Sequence, residues 1–269
     1  MEIGFIGTGQ MAQALAAGFV SDAGGKISFL IHDPSEPSRD AFSSRVGGDV
    51  ELVVCEGNQE VVNRASIVFL AVKPQIMEMA LAEVQINGEG PLLVSIAAGI
   101  TIGHLQQLTG SKRIIRVMPN TPCLIGKGAS GLAASDGISE DDIASVSRLI
   151  QSVSLVEVVQ EDKMDVVTGL SGSGPAYVFT FIEALCEGAV ANGLEMESAK
   201  RLAVQTVIGA AELVSQSEDS IDVLRKRVTS PGGTTLAGLE SLASSGFNEV
   251  VANAVTAATE RSIELGNQD

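Results

Sequence analysis

The sequence predicts an α/β protein, with a doubly wound parallel sheet in its N-terminal part and an all-helical C-terminal part. Up to about Asp162, short β-branched runs alternate with helical patterns, as in βαβ units that place helices on both faces of an open sheet. From Lys163 onward the strand patterns stop, and alanine-rich amphipathic stretches separated by Gly, Pro and Ser take over. The chain has 269 residues, 45% of them hydrophobic, which suits two domains with ordinary cores and excludes disorder as the main theme. The predicted domains are 1–162 and 163–269.

The strands are expected at Ile3–Ile6, Lys26–Ile31, Val50–Val54, Ile67–Val72, Leu92–Ile96, Arg113–Val117 and Leu155–Val159. Between the first strand and a helical Ala14–Val20 lies Gly7-Thr8-Gly9-Gln10-Met11-Ala12. Gly7 permits the tight turn, Gly9 lets backbone approach a pyrophosphate, and Ala12 lets the helix pack closely on the strand. The helix N-terminus adds free N–H groups and partial positive charge. A dinucleotide-binding, Rossmann-type domain follows, with Ile6 to Met11 as cofactor contacts.

The end of the second strand is where NAD and NADP are told apart. Asp33 falls there, and a carboxylate accepts from a ribose 2′-OH but repels a 2′-phosphate. Ser35 and Arg39 follow closely and suit a 2′-phosphate if Asp33 turns away, so NADH and NADPH both stay open. His32 reads as a packing residue. Three more loops leave strands at the same edge: Ala71-Val72-Lys73-Pro74, Ser95-Ile96-Ala97-Ala98-Gly99 and Met118-Pro119-Asn120-Thr121-Pro122. Their small residues admit a nicotinamide ring and ribose, and Lys73 suits a ribose hydroxyl or phosphate.

In the second part, Pro175 and Gly193 mark the ends of a helix over Ala176–Asn192. Apolar residues cover nearly its whole circumference, so it is expected to be buried, either by its own chain or by a second subunit. About 105 residues is little material to bury it, which favours a dimerisation domain. Ser230-Pro231-Gly232-Gly233-Thr234-Thr235 leads into a later helix and aims N–H groups and hydroxyls at one point, as a carboxylate site requires. The preceding Arg225-Lys226-Arg227 is either a solvated helix end or electrostatic help for an anion.

Other classes of function are excluded by composition. With 17 basic and 33 acidic residues, a net charge of −16, the chain repels nucleic acid and anionic membranes. No apolar run approaches a membrane span, and Met1 leads straight into a strand pattern instead of a signal peptide, so a soluble cytoplasmic protein is expected. Cys55, Cys123 and Cys186 are widely spaced with no CxxC, which argues against disulfides and a metal site. Both histidines lie in the first domain, and Lys200 is the only lysine on the long helices. A general base is therefore hard to assemble, whereas a protonated imine needs none.

These motifs together resemble pyrroline-5-carboxylate reductase, an oxidoreductase acting on CH–NH groups. The resemblance rests on Phe5–Ala12, Ala71–Gln75, Val94–Gly99, Arg116–Pro122, Leu170-Ser171-Gly172-Ser173-Gly174-Pro175-Ala176-Tyr177 and Val228–Thr235, which run in family order. It implies that NADPH or NADH reduces the small-molecule substrate 1-pyrroline-5-carboxylate to L-proline, the last step of proline biosynthesis. It implies substrate contacts at Glu161, Ser230, Gly232, Gly233, Thr234 and Thr235, with Thr235 catalytic through a hydrogen bond to the ring nitrogen. Asn58 and Lys73 match cofactor-contacting positions, alongside Asp33, Ser35, Ala71, Val72, Pro74, Ile96, Ala97, Ala98 and Asn120. Family members form homodimers through interlocked helical domains and often assemble into decamers, so one site would draw on two chains.

Three positions depart from the family pattern. Asp33 replaces an asparagine, Ile96 a cysteine and Arg227 an asparagine near the cofactor. The competing readings are a reductase of a related cyclic imine and a non-catalytic dinucleotide-binding regulator. An intact Ser230–Thr235 loop speaks against the regulator.

Overall fold

The computed structural model describes every residue except 24–26, 49, 87, 89 and 267–269. Contacts divide the chain into two compact units, 1–173 with 256–269 and 174–255. The expected strand start at Lys26 lies outside the described residues. Elsewhere the predicted strands form within a residue or two of expectation: β1 (Glu2–Ile6), β2 (Ser28–His32), β3 (Glu51–Val54), β4 (Ile67–Leu70), β5 (Leu92–Ser95) and β6 (Ile114–Met118). An unforeseen strand β7 (Gly128–Ala134) runs antiparallel to β6, and β8 (Ser154–Val158) runs parallel to β7. The sheet order is β3-β2-β1-β4-β5-β6-β7-β8, so the chain reverses direction between β1 and β4, where an open α/β sheet forms its ligand crevice.

The helices of this unit are α1 (Gln10–Ala23), α2 (Glu36–Val46), α3 (Asn58–Arg64), α4 (Met77–Leu81), α5 (Ile102–Thr109), α6 (Glu140–Gln151) and α7 (Met164–Val167). Ser35, Thr101 and Ser139 cap α2, α5 and α6 by accepting N–H bonds from the third residue on, which satisfies donors the helix leaves free. One sheet face packs α1, α2 and α6 over a core with Phe5, Phe19, Phe29, Phe42 and Phe69, all fully buried. Phe5 stacks on Phe69 at 5.1 Å and meets Phe42 edge-on at 5.3 Å, geometries worth about 0.5–1.5 kcal/mol each beyond area burial. The other face packs α3, α4 and α5 over Ile6, Leu30, Val68, Leu70 and Leu93.

The second unit is helical: α8 (Gly174–Ala191), α9 (Met196–Gln216), α10 (Ile221–Arg227), α11 (Thr234–Ser244) and the start of α12 (Phe247–Gly266). Cys186 is the one buried residue of α8, while Phe179 is 61% exposed. Leu202 on α9 and Val250 on α12 are 61% and 64% exposed. Large apolar side chains of α8, α9 and α12 thus stand exposed on the single chain. Three free cysteines, Cys55, Cys123 and Cys186, are buried. Among the described residues no helix is long and apolar enough to cross a membrane.

Candidate active site

The glycine turn sits where β1 gives way to α1. Gly7 has φ +91° and a Cβ there would lie 2.9 Å from the Ala71 carbonyl oxygen, so only glycine fits. The loops after β1 and β4 therefore touch across the reversal point. Gly9 is exposed with open space around its Cα, leaving backbone bare for a ligand. The first turn of α1 holds no acidic residue. Bare glycine backbone and a helix N-terminus whose first turn carries no acidic residue fit a dinucleotide pyrophosphate.

Ile6, Gly7 and Thr8 are buried, Gln10 is exposed and Met11 half-buried. Thr8 is held by Asp33: its N–H and hydroxyl both donate to Asp33 Oδ2, at 2.8 and 3.1 Å. Asp33 Oδ1 accepts from the Ser35 N–H at 2.8 Å. The carboxylate is thus turned onto the glycine loop and its own turn, with about one of its four lone-pair positions left over. Ser35 Oγ accepts from the hydroxyl of Ser38 at 3.0 Å, and Arg39 Nη1 donates to the Asp33 carbonyl at 2.5 Å. Ser35, Ser38 and Arg39 therefore gather at the N-terminus of α2.

Other polar residues assigned to ligands are also engaged by the fold. Asn58 Nδ2 donates to the Ala80 carbonyl at 2.7 Å, which leaves Asn58 Oδ1 as acceptor for His32 Nδ1 at 2.6 Å. His32 is thus half-buried and hydrogen-bonded to Asn58. Asn120 donates to the Ser171 carbonyl and accepts from the Ala129 N–H, both at 3.0 Å, tying the loop after β6 to β7. Glu161 Oε1 accepts from the Ile102 N–H at 2.6 Å and from Arg116 Nη1 at 3.1 Å.

The remaining cofactor-assigned residues offer mostly backbone. Ala71 N–H donates to the Ile6 carbonyl and Ile96 N–H to the Leu70 carbonyl. Ala97 is buried, Ala98 half-buried, Lys73 exposed, and Pro74 opens a 3-10 turn over Pro74–Ile76. A cavity of about 440 Å³ opens beside these loops, lined by Pro74, Ala98, Gly99, Thr101, His104 and Leu265 among others. A second cleft, near 490 Å³, lies at the opposite edge of the sheet beside Met1, Ser66 and Arg113.

In the helical unit, Gly232 has φ +69°, and a Cβ on Gly233 would meet Ser230 Oγ at 2.4 Å. These glycines let Ser230 fold over the start of α11, where Gly233 supplies no side-chain cap and no acidic residue occupies the first turn. Ser230, Thr234 and Thr235 are exposed there, so free N–H groups stand beside hydroxyls, as a carboxylate needs. The basic triplet is not a free charge cluster. Arg225 and Lys226 pair with Asp222 at 2.5 and 2.6 Å, and Arg227 pairs with Asp219. Lys226, then Arg225, hold the Asp222 carboxyl below its ordinary range.

The first unit thus brings every cofactor-assigned residue, and Glu161, to one edge of its sheet. The other substrate-assigned residues lie on one loop of the second unit. Arg116, 4% exposed, is not among the residues the sequence assigns to a ligand. Its signal was a lone charge inside the run Ile114–Met118, because a charge within a buried strand requires a partner.

A family model described as pyrroline-5-carboxylate reductase dimerisation matches residues 161–265, and one described as NADP oxidoreductase coenzyme F420-dependent matches residues 2–99. The chain is 42% identical to pyrroline-5-carboxylate reductase of Arabidopsis thaliana, over 98% of this chain and 95% of that one. It is 38% identical to the enzyme of that name from Pseudomonas aeruginosa, over 99% and 97%. Its fold matches Plasmodium falciparum pyrroline carboxylate reductase with NADP bound, with TM-score 0.84, 35% identity and coverage of 99% and 98%.

Proposed function

Because the chain belongs to the pyrroline-5-carboxylate reductase family, we infer that it is an NAD(P)H-dependent oxidoreductase that reduces 1-pyrroline-5-carboxylate to L-proline. The observation that carries this is 42% identity to pyrroline-5-carboxylate reductase of Arabidopsis thaliana over 98% of this chain and 95% of that one, supported by the loops Leu170–Tyr177 and Val228–Thr235 on which the resemblance rests. When bound, NAD(P)H supplies the hydride. The chain's own work is to bind and orient. Gly7, Thr8, Gly9, Gln10 and Met11, with the N-terminus of α1, hold the pyrophosphate, while Ala71–Pro74 and Ile96–Ala98 lay backbone and small side chains against the nicotinamide half.

Ser230, Gly232, Gly233 and Thr234 hold the substrate carboxylate by hydroxyls and N–H groups at the start of α11. Thr235 hydrogen-bonds the ring nitrogen. The reacting carbon of a protonated imine is already electrophilic, so orientation replaces a general base. The engagement of Asp33 by Thr8 and Ser35 supports a reading in which Ser35, Ser38 and Arg39, not Asp33, meet the adenosine ribose, so that NADPH is accepted along with NADH.

Exposed apolar residues on α8, α9 and α12 support a homodimer through residues 163–269, and further assembly to a decamer is the family precedent. Buried thiols without disulfides support a cytoplasmic location. The deciding experiment is steady-state turnover of 1-pyrroline-5-carboxylate with each cofactor, with light scattering for the assembly. No proline from either cofactor sinks the reading, and binding without turnover of any cyclic imine favours a regulator.

A further inference from the structure

Arg116 lies in the middle of β6, with Ser95 of β5 and Ala133 of β7 as its ladder partners. Its side chain is 5% exposed and pairs with Glu161 at 3.1 Å. The same Glu161 oxygen accepts the N–H of Ile102, the first residue of α5, at 2.6 Å. Ser95 and Ile102 are the two ends of the loop that carries Ile96, Ala97 and Ala98. One residue therefore grips both ends, by its backbone at Ser95 and through Glu161 at Ile102. The middle is pressed from a third side, where a Cβ on Gly266 would come within 2.7 Å of the Gly99 carbonyl oxygen.

The loop has little to hold itself. Ile96, Ala97, Ala98 and Gly99 bring no polar side chain, and the Ser95 hydroxyl reaches the Ala97 N–H at 3.3 Å. Only the arginine end of the pair is buried, the Glu161 side chain being 34% exposed. The pair therefore contributes little net stability over apolar packing at the same site, and stability alone gives no reason for an arginine here. A fixed separation between two backbone points does give one. We propose that Arg116 and Glu161 are positioning residues for hydride transfer, a strut that sets the Ile96–Ile100 backbone against the nicotinamide. The inference rests on the reductase reading above. It gives Glu161 a role through the loop instead of through the substrate.

The test compares wild type with Glu161→Gln, Arg116→Lys and Arg116→Met. It reads kcat, KM for 1-pyrroline-5-carboxylate, the isotope effect with cofactor deuterated at the transferred position and, in the cofactor-free protein, amide hydrogen exchange over residues 96–100. That exchange should quicken in Glu161→Gln if the pair is a strut, and its constancy overturns the proposal. A strut predicts that Glu161→Gln lowers kcat by about tenfold to a hundredfold while KM for the imine stays within about threefold, since small misplacements of reacting groups cost this much. The isotope effect on kcat rises as chemistry slows, and Arg116→Lys recovers part of what Arg116→Met loses. A tenfold rise in imine KM with kcat unchanged makes Glu161 a substrate ligand and overturns the proposal, as does no change in either constant. If Arg116→Met does not fold, Glu161→Gln and Arg116→Lys decide. Wild type that makes no proline overturns the reductase reading and this inference with it, whereas normal wild-type turnover with unaltered variants overturns this inference alone.

Discussion

Replacing Asp33 by alanine tests whether this carboxylate reads the cofactor or holds the loop that binds it. Its oxygens take three bonds: the Thr8 N–H at 2.8 Å, the Thr8 hydroxyl at 3.1 Å and the Ser35 N–H at 2.8 Å. Thr8 is fully buried, so its N–H loses a charged partner with no water to take over, at about 1–3 kcal/mol. The half-buried Ser35 N–H recovers part of its bond from solvent, so Asp33→Ala should cost about 2–4 kcal/mol in all. Asp33→Asn keeps one acceptor and turns an NH₂ toward an N–H, so about half of that loss is expected. Urea unfolding at fixed protomer concentration reads the stability, and kcat/KM with NADH and NADPH reads the site. Both cofactors should lose efficiency in Asp33→Ala, because the glycine turn itself loosens. An Asp33→Ala protein within about 0.5 kcal/mol of wild type, with its NADPH-to-NADH ratio raised tenfold or more, would falsify the staple and make Asp33 a ribose reader.

Other substitutions and conditions follow the same logic. Gly18 lies inside α1, where alanine usually adds about 1 kcal/mol. A Cβ there would stand 2.2 Å from Val153 Cγ1 and 2.6 Å from Ser152 Oγ, so Gly18→Ala should instead destabilise by about 1–3 kcal/mol on urea unfolding. Thr235→Ala should lower kcat/KM for the imine by about tenfold to a hundredfold with the circular dichroism spectrum intact, the loss of one hydrogen bond to a charged group. Unchanged kcat/KM removes Thr235 from the mechanism. Burial first, then Glu60, pushes the Cys55 thiol up, and all three cysteines are buried. Native protein should therefore react slowly with a thiol reagent at neutral pH and yield three thiols once unfolded. The net charge of −16 repels both anionic ligands, so kcat/KM should rise as salt is added from low ionic strength. A steep fall would show local cations governing capture.

Patterns of local origin were legible in the sequence. The β-branched strand runs, Gly7 and Gly9 at their turn, and Pro175 and Gly193 at the ends of α8 depend on backbone sterics within a few residues, and the structure keeps them. Strand β7 was not legible, because Gly128–Ala134 carries none of the β-branched residues that mark strands. Its glycines are small for its neighbours: a Cβ at Gly128 would meet Ser154 Oγ at 2.8 Å, and one at Gly131 would meet Val167 Cγ1 at 2.7 Å. That requirement comes from packing partners distant in sequence, which periodicity does not record.

The polar site residues divide along the same line. By itself the sequence determined the class of protein, the strand–glycine–helix turn and the glycine-rich Ser230–Thr235 loop at a helix start, since each is written in adjacent residues. Only the tertiary structure decided where side-chain polar groups point. Asp33 turns onto Thr8, Asn58 onto His32 and Ala80, Asn120 onto Ser171 and Ala129, and Glu161 onto Arg116 and Ile102. A buried N–H or carbonyl must find a partner wherever the fold brings one. In Arg116 and Glu161, that partner lies 45 residues away along the chain, a distance over which no local pattern speaks.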